Sequence, residues 1–102
     1  MIIFELKEED YEIVDLDDED VSINSLLSTD KILYFIDSRN SIVWVWEGKS
    51  TNTKMKFIAA KIASNIRDKY GITYNISIVD EDNEPEEFLS IIEIEEEVPI
   101  SQ

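Results

Sequence analysis

Two short, continuously apolar runs in the middle of the chain constrain its fold more than any other feature. Residues 32–36 and 42–46 are rich in β-branched and aromatic side chains. A run of that length and composition is typical of a strand that is buried on both faces. The turn-forming sequence Ser38-Arg39-Asn40-Ser41 lies between the two runs. The pattern therefore predicts an antiparallel hairpin at the centre of a sheet that is covered on both sides.

A long amphipathic helix is predicted directly after this hairpin. Gly48 ends the second strand, Thr51, Asn52 or Thr53 can cap the helix, and Gly71 suits the position just past its end. Apolar residues recur at helical spacing between the two glycines and form a single stripe: Met55, Ile58, Ala59, Ile62, Ala63, Ile66 and Tyr70. Such a stripe indicates a helix that packs one side against the sheet.

Weaker patterns flank these elements. They predict a strand or hairpin at 2–6 and 11–16, an extended stretch or a connection at 21–27, a strand at 72–79, a short helix from Pro85 to about Glu95, and a frayed tail at 98–102. Strands combined with one long and one C-terminal helix indicate an α+β fold, with a mixed sheet and helices on its faces. The 102 residues suit one domain, 1–102.

The residue types that are missing exclude most kinds of catalytic site. The chain has no cysteine and no histidine, which removes disulfides, thiolate chemistry, the imidazole base and most zinc or copper sites. It has no phosphate-cradling glycine loop either. We therefore expect a protein that is not an enzyme. The absence of a long apolar run and of a secretion signal predicts no membrane span and a cytoplasmic location.

Charge is distributed unevenly along the chain. The net charge is −15, with ten acidic residues in 1–20 and ten more in 80–97. Between Lys49 and Lys69, by contrast, six residues are basic and one, Asp68, is acidic. The overall sign argues against nucleic acid as a partner. The basic segment either keeps the protein in solution or forms one face for an acidic partner.

Several neighbouring motifs resemble those of a known family. Ile36-Asp37 closes a strand, Ile42-Val43-Trp44-Val45-Trp46-Glu47-Gly48-Lys49 follows, and the helix contains Ala59-Ala60-Lys61-Ile62-Ala63. Glu81-Asp82-Asn83-Glu84-Pro85 and Phe88 come later, and Ser25-Leu26-Leu27-Ser28 comes before. Over about residues 25–92, this order resembles a gelsolin-like repeat, in which Trp-x-Gly-Lys precedes an alanine-rich helix.

The resemblance implies a fold and a partner. The implied fold is a central mixed sheet of about five strands between one long and one short helix, present here as a single copy. Gelsolin-like domains bind actin, mostly through the exposed side of the long helix. The resemblance therefore implies actin or an actin homologue as partner, and sequestering of monomers or capping of filaments as activity. The isoleucine-rich, alanine-poor composition suggests an AT-rich genome, prokaryotic or archaeal.

A docking face can be placed on the long helix by its periodicity. At 100° per residue, Phe57 falls opposite the apolar stripe, with Ala60, Lys61, Ser64 and Arg67 around it. A phenylalanine in the middle of a polar face suits an anchor that a partner buries, small neighbours allow close approach, and basic side chains supply charge at the rim. These five residues form the predicted docking face. The alternative is that another part of the chain, such as the N-terminal strand, covers Phe57.

Calcium is a further question that the resemblance raises. Family sites use an aspartate just before the central strand and a glutamate early in the long helix. Here the nearest aspartate, Asp30, is about two residues too early, and Met55 occupies the glutamate position. Asp30 and Asp37 are weak candidates for calcium ligands. The acidic runs 17–20 and 80–84 lack the spacing of an EF-hand loop and are interpreted as solvated charge. We expect no cofactor and calcium-independent binding.

Two functional hypotheses follow for this chain. The first is an actin-binding regulator that uses the docking face. The second is a protein-interaction module or adaptor subunit outside the cytoskeleton, which uses a free sheet edge or the acidic ends. The incomplete calcium pattern favours the second hypothesis, and the docking face favours the first.

Overall fold

The described residues form one five-stranded sheet with three helices. The computed structural model describes residues 1–15 and 23–96, the last three of them by backbone only. The strands are β1 (Ile2–Lys7), β2 (Asp10–Ile13), β3 (Ile32–Asp37), β4 (Ile42–Glu47) and β5 (Asn75–Asp80). The helices are α1 (Ile23–Leu26), α2 (Thr53–Tyr70) and α3 (Glu86–Glu96).

The sheet is mixed and has the order β2-β1-β3-β4-β5. Neighbouring strands are antiparallel except β4 and β5, which are parallel and are connected through α2. One face of the sheet packs against α2 and the other against α1 and α3. This arrangement confirms the predicted α+β fold with a long and a short helix on opposite faces. None of the helices in the described parts of the chain is long and apolar enough to cross a membrane.

The two apolar runs form the centre of the sheet, as the sequence predicts. All six residues of β3 are buried, and alternate side chains enter the two halves of the core. Tyr34 faces α2, where its hydroxyl donates a hydrogen bond to the carbonyl of Ala59 at 3.1 Å. On the other face, Phe88 of α3 packs edge-on against Phe35, with ring centroids 5.2 Å apart. The two faces therefore have separate apolar clusters, joined only through the sheet.

The long helix begins and ends where the sequence places its caps. Asn52 is the capping residue among the three candidates, since its side-chain oxygen accepts a hydrogen bond from the Met55 N–H at 2.8 Å. At the other end, the Gly71 N–H donates to the Arg67 carbonyl at 2.8 Å. Gly71 has a φ of 148°, which a residue with a side chain rarely adopts. The buried side of α2 comprises Ala59, Ile62, Ala63 and Ile66.

The sequence predicts an extended stretch or a connection at 21–27, and the extended alternative is wrong for the part that the structure describes. Ile23–Leu26 is the short helix α1, and Ile23 is buried in the cluster around Phe88. A single helical turn is too short to show a 3.6-residue period. The buried Ile23 packs against the face of the sheet that α3 covers. This long-range contact leaves no pattern in the neighbouring sequence.

The strand predicted at 72–79 starts later than expected. Residues 71–74 form a turn in which the Tyr74 N–H donates to the Gly71 carbonyl at 3.0 Å, and β5 begins at Asn75. The alternation of apolar residues continues backwards through this turn, so the sequence pattern alone could not locate the boundary. The run 17–20 and the tail 98–102 lie outside the described residues.

Candidate docking face on the long helix

Phe57 lies on the outward side of α2, opposite the residues that pack on the sheet. Its side chain is 63% exposed. The described part of the chain, β1 included, therefore does not bury this ring. A large apolar side chain in water is unfavourable by roughly 2 kcal/mol relative to a buried one. Its position gives the helix an apolar point that another molecule can cover.

A lysine one turn further along the helix lies over this ring. The Lys61 ammonium nitrogen is 5.0 Å from the centroid of the Phe57 ring, within the range of a cation–π contact. Both side chains are exposed. The contact brings the apolar anchor and a positive charge together at one place on the helix. This spot can meet a partner that has an apolar pocket beside an acidic group.

The space next to Phe57 is lined by small residues. Ala60 is exposed and Ser64 is half-buried. The Ser64 hydroxyl lies 3.5 Å from the Ala60 carbonyl and points back along the helix, as serine often does within helices. No long side chain stands at these two positions, so a partner's backbone could approach α2 closely there.

Arg67 contributes less free charge to the docking face than the sequence suggests. Its guanidinium contacts the Asp68 carboxylate, with the Arg67 Nη2 and Asp68 Oδ1 atoms 3.3 Å apart. Arg67 is also half-buried. Lys54 and Lys56, which the sequence analysis counted only as part of the basic segment, are exposed on the first turns of the same helix. They belong to the positive surface around the docking face.

A groove beside α2 was not predicted from the sequence. It is lined by the β1–β2 turn and by the first turns of α2: Lys7, Glu8, Glu9, Asp10, Asn52, Lys54, Met55 and Ile58. The hairpin pattern at the N-terminus could have indicated an acidic turn. It could not have placed that turn against α2, because the sheet order decides which hairpin lies next to the helix.

The two weak calcium candidates lie at opposite ends of β3. Asp30 is exposed before the strand, and Asp37 is its last residue. A strand of that length keeps them about 20 Å apart, so they cannot share an ion. The described residues contain no group of three or more histidine, cysteine, aspartate or glutamate side chains that could hold a metal.

Asp37 is buried and its carboxylate is occupied by the protein itself. It accepts hydrogen bonds from the Asn40 N–H at 3.1 Å, the Asn40 side-chain amide at 2.8 Å and the Trp44 indole N–H at 3.2 Å. Burial by itself raises the pKa of this carboxyl, but the hydrogen bonds from Asn40, Trp44 and the Arg39 backbone outweigh burial and lower its pKa. The carboxylate fixes the turn between β3 and β4.

The acidic turn after β5 is more structured than solvated charge. Glu81 accepts a hydrogen bond from the Lys49 N–H at 2.8 Å, and Asp82 forms an ion pair with the Lys49 ammonium. Glu84 accepts a hydrogen bond from the Trp46 indole N–H at 2.9 Å. These carboxylates attach the turn to the end of β4. The interpretation of this run as solvated charge is therefore wrong for the half-buried Glu81 and Glu84, whereas Asp82 is exposed.

Glu47 is a second buried carboxyl, near the start of α2. Burial raises its pKa, Lys56 opposes this effect, and neighbouring Asp80 raises the pKa further by charge and by a side-chain hydrogen bond. Glu47 and Asp80 are register partners on the parallel strands β4 and β5. The positive charge of Lys56 opposes these effects and partly balances the negative charge of Glu47.

Comparison with known proteins gives structural but not sequence neighbours. No protein-family model and no curated protein matches this chain. Thorarchaeota ProGel, solved in complex with rabbit actin, aligns with a TM-score of 0.73 and 22% identity, over 90% of this chain and 99% of that chain. Thorarchaeota 2DGel3, also solved with rabbit actin, aligns with a TM-score of 0.61 and 24% identity. That alignment covers 87% of this chain and 43% of 2DGel3, so this chain spans less than half of it.

Proposed function

Because the chain has a gelsolin-like fold, we propose that it binds actin or an actin homologue through the docking face of α2. The observation that carries this proposal is the exposed Phe57 ring at the centre of the outward side of the helix. The two Thorarchaeota neighbours, each solved with actin, support the choice of partner. They also support an archaeal origin, in which case the natural partner is that cell's own actin homologue.

The chemistry of the docking face agrees with such a partner. Phe57 would enter an apolar pocket, Ala60 and Ser64 would permit close approach, and Lys61 with Lys54 and Lys56 would face acidic groups at the rim. Actin is an acidic protein, so the charges are complementary. The described residues form a single domain with one such face, which favours sequestering of monomers or capping of an end over severing. We propose that the protein acts in the cytoplasm.

Calcium has no part in the proposed binding. Met55 stands where family members place a glutamate, and the Asp37 carboxylate is already hydrogen-bonded by the protein. The positive charge of Lys56, at the start of α2, lowers the pKa of Glu47. A cation at the N-terminal end of α2 would meet this ammonium group and be repelled.

The test is actin assembly followed by fluorescence of labelled actin, together with co-sedimentation, with and without calcium. The native chain should slow assembly equally in both conditions. Phe57→Asp should weaken binding by about 30-fold or more, equivalent to about 2 kcal/mol. Leu89→Asp is the matched control, since Leu89 is 43% exposed on α3, on the opposite side of the sheet. It should bind as the native chain does.

Two outcomes would contradict the proposal. Native protein that leaves assembly unchanged at tens of micromolar would favour the second hypothesis, an interaction module outside the cytoskeleton. A large loss of stability in Phe57→Asp would show that the ring supports the fold and that the docking face is misplaced. Binding through lysines to an acidic partner should also weaken as salt increases.

A further inference from the structure

Strand β5 forms one border of the sheet, and within the described part of the chain the outer backbone groups of Ile76 and Ile78 have no hydrogen-bond partner. The Asn75 N–H donates to the Ser41 carbonyl and the Glu81 N–H donates to the Glu47 carbonyl, each at 2.9 Å. Odd-numbered residues therefore direct their N–H groups towards β4. Because a strand alternates, the N–H and C=O groups of Ile76 and Ile78 point away from the sheet. The Asp80 carbonyl accepts a hydrogen bond from the Asn83 N–H at 2.9 Å in the turn that follows.

The side chains along this border carry almost no charge. Residues 70–79 contain no acidic or basic side chain, in a chain with a net charge of −15. Ile78 lies on the border and is 55% exposed. A six-residue border strand whose one charged residue, Asp80, stands at its end and which has an exposed isoleucine is a template for pairing with another strand.

The other border of the sheet is protected in the usual way. Strand β2 is four residues long and includes Asp10 and Glu12. Short, charged border strands resist edge-to-edge pairing because like charges would be brought together. The two borders therefore differ in the property that decides whether a strand can accept a partner.

We propose that β5 pairs with β5 of a second copy of this chain, antiparallel, to form a dimer. Two opposed residues of an antiparallel pair can exchange two hydrogen bonds only if the N–H and C=O groups of both residues point towards the other strand. In β5 only Ile76 and Ile78 have both outward groups free, and the register that pairs them places Ile76 opposite Ile78 of the second copy and Ser77 opposite Ser77 on the two-fold axis. Asp80 then lies opposite Tyr74, so no two like charges face each other.

A second copy suits this border better than a foreign strand does, because the sequence of β5 is complementary to itself. In this register Ile76 lies opposite Ile78, the small Ser77 side chains meet on the axis, and the Asp80 of one copy lies away from the Asp80 of the other. The two-fold axis stands perpendicular to the sheet. Both copies of α2 therefore lie on the same side of a joined sheet, and both docking faces remain open. This inference is independent of the proposed actin binding.

The first test is sedimentation of the full chain from about 10 μM to 1 mM, the range of a weak interface. The dimer fraction should rise with protein concentration. It should also rise with salt, because two copies of charge −15 repel each other and salt screens that repulsion. Actin binding should respond to salt in the opposite direction, so the two proposals can fail separately. A monomer under all these conditions would overturn the dimer.

The second test uses a matched pair of substitutions on the two borders. Ile78→Lys on β5 should weaken dimerisation by about 10-fold or more, since like charges would flank the axis. Ile13→Lys on β2 is the control, because Ile13 is 66% exposed on the protected border. It should dimerise as the native chain does. Equal effects of the two substitutions would contradict the assignment to β5.

A disulfide test keeps the proposal decidable if Ile78→Lys does not fold. The chain has no cysteine. Opposed residues at a non-hydrogen-bonded antiparallel pair have Cα atoms about 4.5 Å apart, within the range that a disulfide spans. Oxidised Ser77→Cys should therefore form a covalent dimer, whereas Ser38→Cys in the exposed β3–β4 turn should stay monomeric. Equal cross-linking of the two variants, or none in either, would refute this register.

Discussion

Two single residues connect the ends of strands to other segments of the chain. Asp37 does so through its carboxylate, and Gly48 does so because it has no side chain. Asp37 joins the end of β3 to Trp44 of β4 and to the turn residue Asn40. Gly48 lies against the backbone of Thr29 and Ser28, which precede β3. Asp37 and Gly48 both belong to the motifs on which the resemblance to gelsolin-like repeats rests. Their structural roles give the motifs a physical reason.

At this scale we predict that Asp37 makes stability depend on pH. Its folded pKa is lower than the ordinary value of 3.8, so the unfolded chain holds the proton more tightly. The stabilisation is fully present above about pH 4 and is lost as the pH falls through the lower folded pKa. Asp37→Asn should lower the free energy of unfolding by about 1 to 3 kcal/mol at pH 7 and by less at pH 3.

Urea unfolding at the two pH values measures this difference. The exposed Asp30, replaced by asparagine, is the control and should leave the stability within about 0.5 kcal/mol of the native chain. A penalty for Asp37→Asn that stays constant between pH 7 and pH 3 would contradict the role of the ionised carboxylate.

Gly48 is the second position at which a single atom should matter. A Cβ built there would lie 2.3 Å from the Thr29 carbonyl oxygen. That carbonyl accepts a hydrogen bond from the Ser50 N–H at 2.8 Å, and the Gly48 N–H donates to the Lys31 carbonyl at 2.9 Å. The backbone cannot move away without breaking these bonds. Gly48→Ala should therefore lower the free energy of unfolding, measured in urea, by about 2 to 3 kcal/mol. Ser38→Ala, in the exposed β3–β4 turn, is the control and should leave the free energy of unfolding almost unchanged.

Among the elements, α2 depends on its first turn. Asn52 provides the only side-chain cap that the structure shows for the four free N–H groups at that end. Asn52→Ala should lower the free energy of unfolding by about 1 kcal/mol, and Asn52→Asp should retain it because aspartate caps as well. Equal stability of the alanine and aspartate variants in urea unfolding would show that this bond is not needed.

The strongest elements could be predicted from sequence because their signals are local. β3, β4 and α2 each have a pattern long enough to show its period, and the outward position of Phe57 follows from helical geometry alone. α1 was missed because one turn has no visible period. The contacts of Glu81, Asp82 and Glu84 with the end of β4 were missed as well. They depend on the parallel register of β4 and β5, which joins residues about 35 positions apart.

Across the whole molecule, negative charge exceeds positive charge by 15. The ion pairs that the structure shows, such as Lys7 with Glu5, are at least partly exposed and stabilise the fold by less than about 1 kcal/mol each. Repulsion should therefore dominate the response of stability to salt. Raising sodium chloride should increase the thermal unfolding midpoint by about 4 to 8 °C, equivalent to about 1 kcal/mol.

The control is calcium chloride at matched ionic strength, added at constant pH. It should raise the midpoint by the same amount as sodium chloride does. A clearly larger increase with calcium would reveal a specific ion site and contradict calcium-independent behaviour. A midpoint that falls with sodium chloride would show that attractive surface pairs outweigh the repulsion.

The concentration of lysines along one helix of an acidic molecule has a kinetic consequence. Five of the nine basic residues lie on α2, at positions 54, 56, 61, 67 and 69. Within the described part of the chain, α2 is therefore the positive end of the charge distribution. An approaching anionic surface exerts a torque that turns this end towards itself before contact. Most encounters would then begin with Phe57 in front, and fewer collisions would be spent on unproductive orientations.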